Sequence, residues 1–460
     1  MLVYAEKPTQ TLKNLAEKML ARTTDSTQMT FYSTFEEQLN RRHPLYVLAD
    51  AIHWNVFEEA FSPLYSSDMG RPAKPIRLLT GLLHLKHIRN LSDESVVEQW
   101  QENAYYQYFC GMTSFVSRPP CDASELVHFR NRIGEEGMEL IFQESVRLTG
   151  RDGKEKEVCV DTTVQEKNIT FPTDDKLYKK IITRCVAIAE KEAIELRQSY
   201  RRTVKHLSYQ QRFRLSTKHG KLARKADRKI KTIAGRLVRE IERKLTADAL
   251  ARHGASIGLF KRVLAQKRYD KEKVYSLSEP QVECISKGKA HKKYEFGNKV
   301  SVMITRNSGV IVGALSLEKN DYDGHTLVPA LAQYSRLHGS EPRKAIADLG
   351  YRGVTQIGET EVITPAKKGK SDQERRSLRN DHRRRSSIEA SISHLKNDHR
   401  LDRNYYRFVR GDVTNLFLAA AAFNCKHMMR KWKEKMKYFL SIFWNFFRQL
   451  FVQKNYSIAR

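Results

Sequence analysis

The sequence predicts an α/β protein: a mixed sheet with flanking helices, interrupted by a basic helical insertion and preceded by an all-helical N-terminal domain. Three observations support this prediction. Leucines recur at helical spacing in the first third of the chain. Short apolar runs typical of strands appear at 157–161, 298–317 and 344–364. Between the first two runs, residues 201–250 contain 16 Lys and Arg against four Asp and Glu.

The composition indicates a polyanionic partner. The 460 residues include 82 Lys and Arg against 53 Asp and Glu, a formal net charge of +29. Such a charge favours nucleic acid as the partner. The six cysteines include no Cys-x-x-Cys pair, which argues against a zinc ribbon or a disulfide scaffold. The length and the 40% hydrophobic content allow several domains with cores of their own.

Hydropathy gives no reason to expect a membrane protein. The N-terminus lacks the apolar run of a signal peptide. The most apolar stretch, 438–447, is interrupted by Ser441 and Asn445, and it falls short of the roughly 20 residues that a spanning helix needs. The sequence therefore predicts a cytoplasmic protein.

Helical patterns fill the region before the first strand. Leu78, Leu82 and Leu85 share one helical face, and Ser92 followed by two acids is typical of a helix start. Five segments follow from the patterns of the whole chain. They are a polar arm at 1–34, a helical domain at 35–150, an α/β domain at 151–173 and 289–430, a basic helical insertion at 174–288 and a basic-aromatic tail at 431–460.

The α/β domain is predicted element by element. Glu157–Asp161 is the first strand, and the runs 298–305 and 310–317 flank Asn307-Ser308-Gly309 as a β-hairpin. The remaining predicted elements are a helix at 326–337, strands at 344–349 and 361–364, an Arg-rich linker at 369–385, and helices at 386–398 and 412–430.

Two acids stand where predicted strands end. Asp161 closes the first strand, and Asp348 closes the strand that begins at Lys344. Carboxylates held at the ends of neighbouring strands suit a hard divalent cation such as Mg²⁺, which prefers oxygen ligands. Taken singly, each acid also fits an ordinary turn residue.

A third acid lies on a predicted C-terminal helix. Ile388, Ile392 and Leu395 form its apolar stripe. If the helix extends back to residue 382, the neighbouring stripe contains one acid and three basic residues. They are His382, Arg385, Glu389 and Lys396. A solvated ion-pair face is the alternative interpretation of this stripe.

Together these residues resemble the DDE transposases of the insertion-sequence four/five superfamily, closest to the insertion sequence five type. The order Asp161, Asp348, Glu389 resembles the catalytic triad of that family. Arg385 and Lys396 match the family spacing of three residues before and six after the glutamate, and His382 replaces its tyrosine. Other segments also resemble the family, namely 52–54, 70–72, 91–94, 129–132, 320–325, 348–353 and 411–415.

The resemblance implies a ribonuclease-H-like catalytic domain in a bacterial, nucleoid-associated protein. It implies that Asp161, Asp348 and Glu389 are catalytic and hold two Mg²⁺, with Mn²⁺ as a substitute, and that Arg385, Lys396 and His382 contact DNA. The implied partners are the inverted-repeat ends of the element, target DNA and a second copy of the chain on DNA. The alternatives are a metal-dependent DNA nuclease of the same fold and an inactive DNA-binding relative.

Several features have two interpretations. The basic insertion is either a DNA-binding element or a solvated or dimerising helical hairpin, and the former is favoured. The tail is favoured to pack on the body of the protein or to mediate dimerisation. The alternative is an amphipathic surface helix that binds a membrane or a partner. For His325 a structural or turn role is favoured over contact with metal or DNA. Arg71, Arg130 and Arg132 fit phosphate contacts and helix ion pairs equally well.

Overall fold

A computed structural model describes residues 34–65, 73–286, 292–365 and 372–457. In parts of the last two helices, including His382 and residues 439–457, it describes the backbone alone. Most of the predicted polar arm and the predicted break at Gly70-Arg71-Pro72 lie outside the described residues.

The described residues before the sheet form helices and no strand. Ser92 accepts a hydrogen bond from the Ser95 amide and caps its helix, as predicted. Gly134 kinks the longest of these helices with a positive φ of 66°. The helices are α1 (Phe35–Gln38), α2 (Pro44–Ala51), α3 (Trp54–Phe61), α4 (Ile76–Ile88), α5 (Asp93–Glu102), α6 (Ala104–Phe109) and α7 (Ala123–Leu148).

A mixed sheet forms the centre of the molecule, as predicted. Its strands are β1 (Glu157–Lys167), β2 (Glu283–Ser286), β3 (Tyr294–Thr305), β4 (Ile311–Ser316), β5 (Lys344–Ile346), β6 (Gln356–Ile357), β7 (Thr360–Ile363) and β8 (Arg403–Asn404). The order is β2-β3-β1-β5-β7-β6, with β4 also paired to β3 and β8 also paired to β1. β1 is antiparallel to β3 and parallel to β5, so it joins the two halves of the sheet.

The first strand is longer than predicted. The sequence suggests an end at Asp161, whereas β1 continues to Lys167 because β3 pairs with it as far as Glu166. Its parallel pairing with β5, however, stops at Cys159. Asp161 therefore lies in the middle of the strand but just past the end of the parallel ladder.

Four helices separate β1 from β2. They are α8 (Asp174–Lys191), α9 (Arg201–Gln211), α10 (Gly220–Lys244) and α11 (Ala247–Ala265). Their apolar faces form a hydrophobic cluster that includes Ile181, Leu207, Ile230 and Phe260. β2 lies within the range that the sequence assigns to the insertion, yet it pairs with β3 as part of the sheet.

Three further helices complete the fold: α12 (Asp323–His338), α13 (Asp372–Asp398) and α14 (Phe408–Ser457). The prediction of a linker at 369–385 is wrong from residue 372 onward, since α13 begins there and is a single helix. The predicted helix at 412–430 is confirmed as part of α14, which continues into the predicted tail. Among the described residues, no helix is both long and apolar enough to cross a membrane.

The two faces of β1 contact different helices. Val158 and Val160 belong to a cluster with Leu327 and Leu331 of α12. Cys159 belongs instead to the large cluster that contains Ile388 and Leu395 of α13. Successive side chains alternate between the faces of a strand, so Asp161 is placed on the face toward α13.

Two amide side chains cover the outer edge of β4. Asn424 of α14 accepts a hydrogen bond from the Ile311 amide and donates one to the Ile311 carbonyl, both at 2.9 Å. Gln333 of α12 does the same for Ala314, at 3.0 and 2.9 Å. Each amide replaces the hydrogen bonds that a further strand would make at that residue.

Candidate active site

Asp161 and Asp348 come to the same level of two neighbouring strands. The parallel register pairs Cys159 with Ile346, and each aspartate follows its paired residue by two positions. Asp348 caps a short 3-10 turn, and its Oδ1 accepts a hydrogen bond from the Gly350 amide at 2.8 Å. Because adjacent strands lie about 4.8 Å apart, this register places two half-buried carboxylates side by side.

Arg385 joins Asp161 to Glu389. Its guanidinium lies 3.5 Å from Asp161 Oδ2 and 3.5 Å from Glu389 Oε1. The Arg385 side chain is only 15% exposed, whereas that of Glu389 is 66% exposed. The helix face that the sequence predicts therefore does turn toward the first aspartate, and a shared cation links acids from a strand and a helix.

A fourth carboxylate, Asp323, enters the site from the first turn of α12. Asp323 Oδ1 accepts hydrogen bonds from Thr162 Oγ1 at 2.8 Å and from Lys299 Nζ at 3.0 Å. Thr162 follows Asp161 directly, and Lys299 lies on the partner strand β3. These contacts attach the start of α12 to the strand that carries the first aspartate.

Gly350 and Tyr351 show how closely the acids approach one another. A Cβ on Gly350 would lie 2.8 Å from Asp348 Oδ1 and 3.0 Å from Asp323 Oδ2, so both carboxylates border the same small space. Tyr351 is fully buried. Burial and then the charges of Asp323, Asp161 and Asp348 raise the pKa of its phenol well above the ordinary value.

The other predicted site residues lie on or near the same helices. Lys396 lies about two turns after Glu389 on α13 and is half-buried. His382 is on α13 one turn before Arg385, and its side chain lies outside the description. His325 is exposed on the first turn of α12, with its ring 5.7 Å from that of Tyr322. The roles of Lys396 and His382 at DNA stay predictions.

The donor chemistry at this site fits a hard divalent cation. Asp161, Asp348 and Glu389 all offer carboxylate oxygens, which Mg²⁺ prefers, and Arg385 already places one positive group against two of them. Among the described residues, no three His, Cys, Asp or Glu side chains are grouped tightly enough to hold a metal ion as they stand. Asp161, Asp348 and Glu389 are the residues that would hold such a cation.

Arg130 has a partner inside the helical domain. Both of its terminal nitrogens donate to Asp93 at 2.8 Å, Lys86 donates to the same carboxylate at 2.8 Å, and Tyr406 stacks against both cations. Burial acts to raise the pKa of Asp93, but Arg130 and Lys86 outweigh it and lower that pKa to about 2. Of the two interpretations of Arg130, the contacts favour the ion pair.

Sequence reasoning missed three members of the site. Asp323 falls only within the segment 320–325 that resembles the family, and Thr162 and Lys299 are not among the predicted site residues. Two signals were available: Asp323 is an acid shortly before the predicted helix at 326–337, and Lys299 is the one charged residue of the strand-like run 298–305. The contacts of Asp323 with Thr162 and Lys299 form only in the folded sheet, so no local sequence pattern contains them.

Comparisons with known proteins find transposase domains in this chain. A family model described as Transposase domain (DUF772) matches residues 33–132, and one described as Transposase DDE domain matches residues 263–425. The chain is also 44% identical over 187 residues to an uncharacterized protein, ORF8 in the nfe locus, of Rhizobium meliloti. That match covers 40% of this chain and 90% of the relative. No solved structure matches the chain.

The fold and the carboxylates at its central strands define the class of protein. It is an α/β protein with an acidic site beside the Arg-rich helix α13. Both matched domains are transposase domains, and the second of them includes Asp348, Arg385 and Glu389. The chain belongs to the DDE transposase family, consistent with the insertion-sequence four/five type.

Proposed function

We propose that this protein is the transposase of an insertion sequence, which binds the inverted-repeat ends of its element and catalyses phosphodiester hydrolysis followed by strand transfer into target DNA. The observation that carries the proposal is the shared level of Asp161 and Asp348, together with Arg385 between Asp161 and Glu389. The sheet order is compatible with a ribonuclease-H-like domain.

The three acids would hold two Mg²⁺ ions, or Mn²⁺ in their place. Asp161, Asp348 and Glu389 would be the residues that hold these ions. When bound, such a pair activates the attacking oxygen and stabilises the leaving oxygen of an in-line displacement. Asp161 lies on β1, while Asp348 follows the end of β5 by two residues and is fixed by the Gly350 amide, and this rigid placement of two acids supports the assignment.

Arg385 has a role of its own in this proposal. While its guanidinium contacts Asp161 and Glu389, it offsets the repulsion between carboxylates. Its planar donors are also suited to a DNA phosphate, so Arg385 would contact DNA beside Glu389. Lys396 and His382, on the same helix, would extend this contact along the DNA.

The reaction on DNA would proceed in two displacements at the same site. Water first hydrolyses one strand at the end of the element, and the 3′-OH that is released then attacks a phosphodiester of the target. No covalent bond to the protein is needed. The N-terminal helices are proposed to bind the ends of the element, and synapsis of two ends would require two copies of the chain on DNA.

Cleavage of a labelled duplex that carries the element's own ends tests the proposal. With Mg²⁺ or Mn²⁺, the wild-type chain is expected to nick at the ends, while Asp161→Asn and Glu389→Gln lose nicking and keep DNA binding. Glu166→Gln is the matched control, since Glu166 lies on the same strand but pairs with Lys292. Retained nicking in Asp161→Asn would contradict the assignment.

A strand-transfer assay separates the alternatives. Joining of the released 3′ end to a second duplex identifies a transposase, whereas cleavage without joining identifies a nuclease of the same fold. Tight DNA binding with neither reaction would identify an inactive DNA-binding relative.

A further inference from the structure

The basic helix α10 has more cations than its own acids can neutralise. It contains ten Lys and Arg but only three acids. Each acid already has a partner: Asp227 pairs with Arg214, Glu240 with Lys244 and Glu242 with Lys261. The acids of α10 therefore leave most of its positive charge without a neutralising partner on the helix itself.

Most of the remaining cations lie along one stripe. Nine exposed Lys and Arg side chains of α10 make no ion pair with the described residues, and two of them, Arg224 and Lys231, lie to one side, where they contact the Gly220 carbonyl and the Tyr178 ring. The other seven are Lys221, Lys225, Arg228, Lys229, Arg236, Arg239 and Arg243. At 3.6 residues per turn, all seven fall within an arc of about 100° that contains no acid. The stripe runs from Lys221 to Arg243, about 33 Å along the helix axis. We call these seven residues the basic stripe.

The opposite side of α10 is buried. Ile230, Ile233, Leu237 and Ile241 lie in the hydrophobic cluster shared with α8, α9 and α11. The helix is thus fixed by its apolar face, and the basic stripe is held outward on a rigid element. Fixed cations lose less side-chain and backbone entropy on binding than cations on a flexible arm.

The C-terminal half of the basic stripe borders a groove. This groove has a volume of about 1060 Å³ and includes Arg236, Arg239 and Arg243 in its lining. Arg197 and Tyr200, from the segment between α8 and α9, line its other side. Glu240 and Glu242 also line the groove, but its five cations outnumber them, so this concave surface carries a net positive charge.

We propose that the basic stripe of α10 is a duplex-DNA-binding surface that contacts phosphates and reads no sequence. This inference rests on the proposed function, since it gives a DNA-cleaving enzyme a second contact with its substrate. Its length of about 33 Å corresponds to about one turn of B-form DNA, which presents one negative charge per about 1.7 Å of axis. Residues 174–262 lie outside both matched transposase domains.

Other partners fit the basic stripe less well. A lipid surface requires an apolar helix face beside the cations, and the apolar face of α10 is already buried. A second copy of the stripe would bring seven cations against seven, which is repulsive. Duplex DNA needs only the charge and the length that the stripe offers.

Binding of the full chain to a duplex of arbitrary sequence tests this proposal. Fluorescence anisotropy is measured over a salt series without divalent metal, so that cleavage does not interfere. The stripe variant changes Arg228, Arg236, Arg239 and Arg243 to Gln. We expect its affinity to fall at least about tenfold and the slope of log K against log salt to shrink by about three to four.

A control variant carries the same change in net charge. It replaces Arg201, Arg214, Arg252 and Lys261 with Gln, and these cations already pair with Glu190, Asp227, Glu192 and Glu242. We expect the salt slope of the control to stay within about one of the wild-type value. The control is a stringent one, because its substitutions also remove the ion-pair partners of four acids.

The outcomes separate this proposal from the one before it. Equal losses in both variants, or no loss in either, would overturn the basic stripe as a binding surface. A loss of binding to phosphatidylserine vesicles that matches the loss on DNA would identify a lipid surface instead. If DNA binding depends on the basic stripe but the chain never cleaves DNA, the proposed function is contradicted and this inference is still supported.

Discussion

Arg385 shows how one side chain connects elements that are distant in the sequence. It lies on α13, yet it contacts both Glu389 on its own helix and Asp161 on β1. Because the guanidinium is largely shielded from solvent, its attraction to two carboxylates is screened less than at an exposed site. Arg385 therefore offsets part of the repulsion between these two carboxylates.

Asp323 is expected to be a positioning residue for the catalytic acids. Asp323→Asn removes the charge that holds Lys299 and weakens the bond from Thr162, so we expect the nicking rate to fall about 10- to 100-fold. Asp321→Asn is the matched control, since Asp321 is exposed and contacts Lys299 only through its backbone carbonyl. Equal rates in the two variants, with both chains folded, would contradict this role.

The carboxylate of Asp93 gives the stability of the protein a defined pH dependence. Its pKa falls from 3.8 to about 2 on folding, so its contribution of roughly 2 kcal/mol is complete above pH 3.8 and is lost as the pH falls toward 2. Asp93→Asn should lower the free energy of unfolding by about 3 kcal/mol at neutral pH, because Arg130 and Lys86 lose their partner. Denaturant unfolding should show that this difference shrinks between pH 4 and pH 2.

At this scale, the sequence predicts acids better than it predicts their partners. Asp161, Asp348 and Glu389 stand out because strand ends and a helical stripe are local patterns. Thr162 and Lys299 do not, because their significance depends on Asp323, which lies 161 residues after Thr162. The position of Asp161 toward α13 also depends on strand alternation over a strand longer than the apolar run suggests.

The β1–β3 pair determines the geometry of the site at the scale of elements. Nine residue pairs, from Val158–Thr305 to Glu166–Gly297, hold these strands in antiparallel register. Near the end of the pair the backbones approach closely, since a Cβ on Gly297 would lie 1.9 Å from the Gln165 carbonyl oxygen. A side chain at this position would force the strands apart.

Gly297→Ala should therefore be strongly destabilising. We expect a loss of at least about 3 kcal/mol in the free energy of unfolding, because the clash is with backbone. Gly258→Ala in α11 is the control, since no atom lies within 4 Å of its Cβ and alanine favours helix by about 1 kcal/mol. Denaturant unfolding of both variants checks the contrast, and a neutral Gly297→Ala would contradict the close approach.

Element types were predictable and element ends were not. The hairpin, the helix after it and the helical stripe around Glu389 are confirmed. The Arg-rich stretch before residue 386 contains no breaker that ends a helix, and treating it as a linker gave its polarity too much weight. The two-residue strand β8 exists through pairing with the distant strand β1, and β6 pairs with its neighbour β7 across a tight turn, so neither forms an apolar run that a local pattern reveals.

Over the whole molecule, a buried ionic cluster joins distant parts of the chain. Lys167 at the end of β1 donates to Asp412 of α14 at 2.5 Å and lies 3.7 Å from Glu279, and all three side chains are at most 7% exposed. Burial raises the pKa of Asp412 above its ordinary value, although Lys167 opposes the shift. The cluster connects the sheet, the segment before β2 and the last helix.

Replacing Lys167 with methionine should uncouple these parts. We expect Lys167→Met to lower the free energy of unfolding by about 3–5 kcal/mol, because two buried carboxylates lose their cation. Adding Asp412→Asn should recover part of that loss, and a double-mutant cycle in denaturant measures the coupling. Purely additive effects of the two substitutions would show that the buried pair makes no net interaction.

The amide-covered edge of β4 limits how copies of this protein associate. A free edge strand is a template onto which another chain adds its own strand, and repetition of that step leads to insoluble aggregates. Asn424 and Gln333 occupy the hydrogen-bonding groups of Ile311 and Ala314, so β4 offers no such template at these residues. Self-association by strand addition is therefore blocked at these residues, which removes one common cause of precipitation.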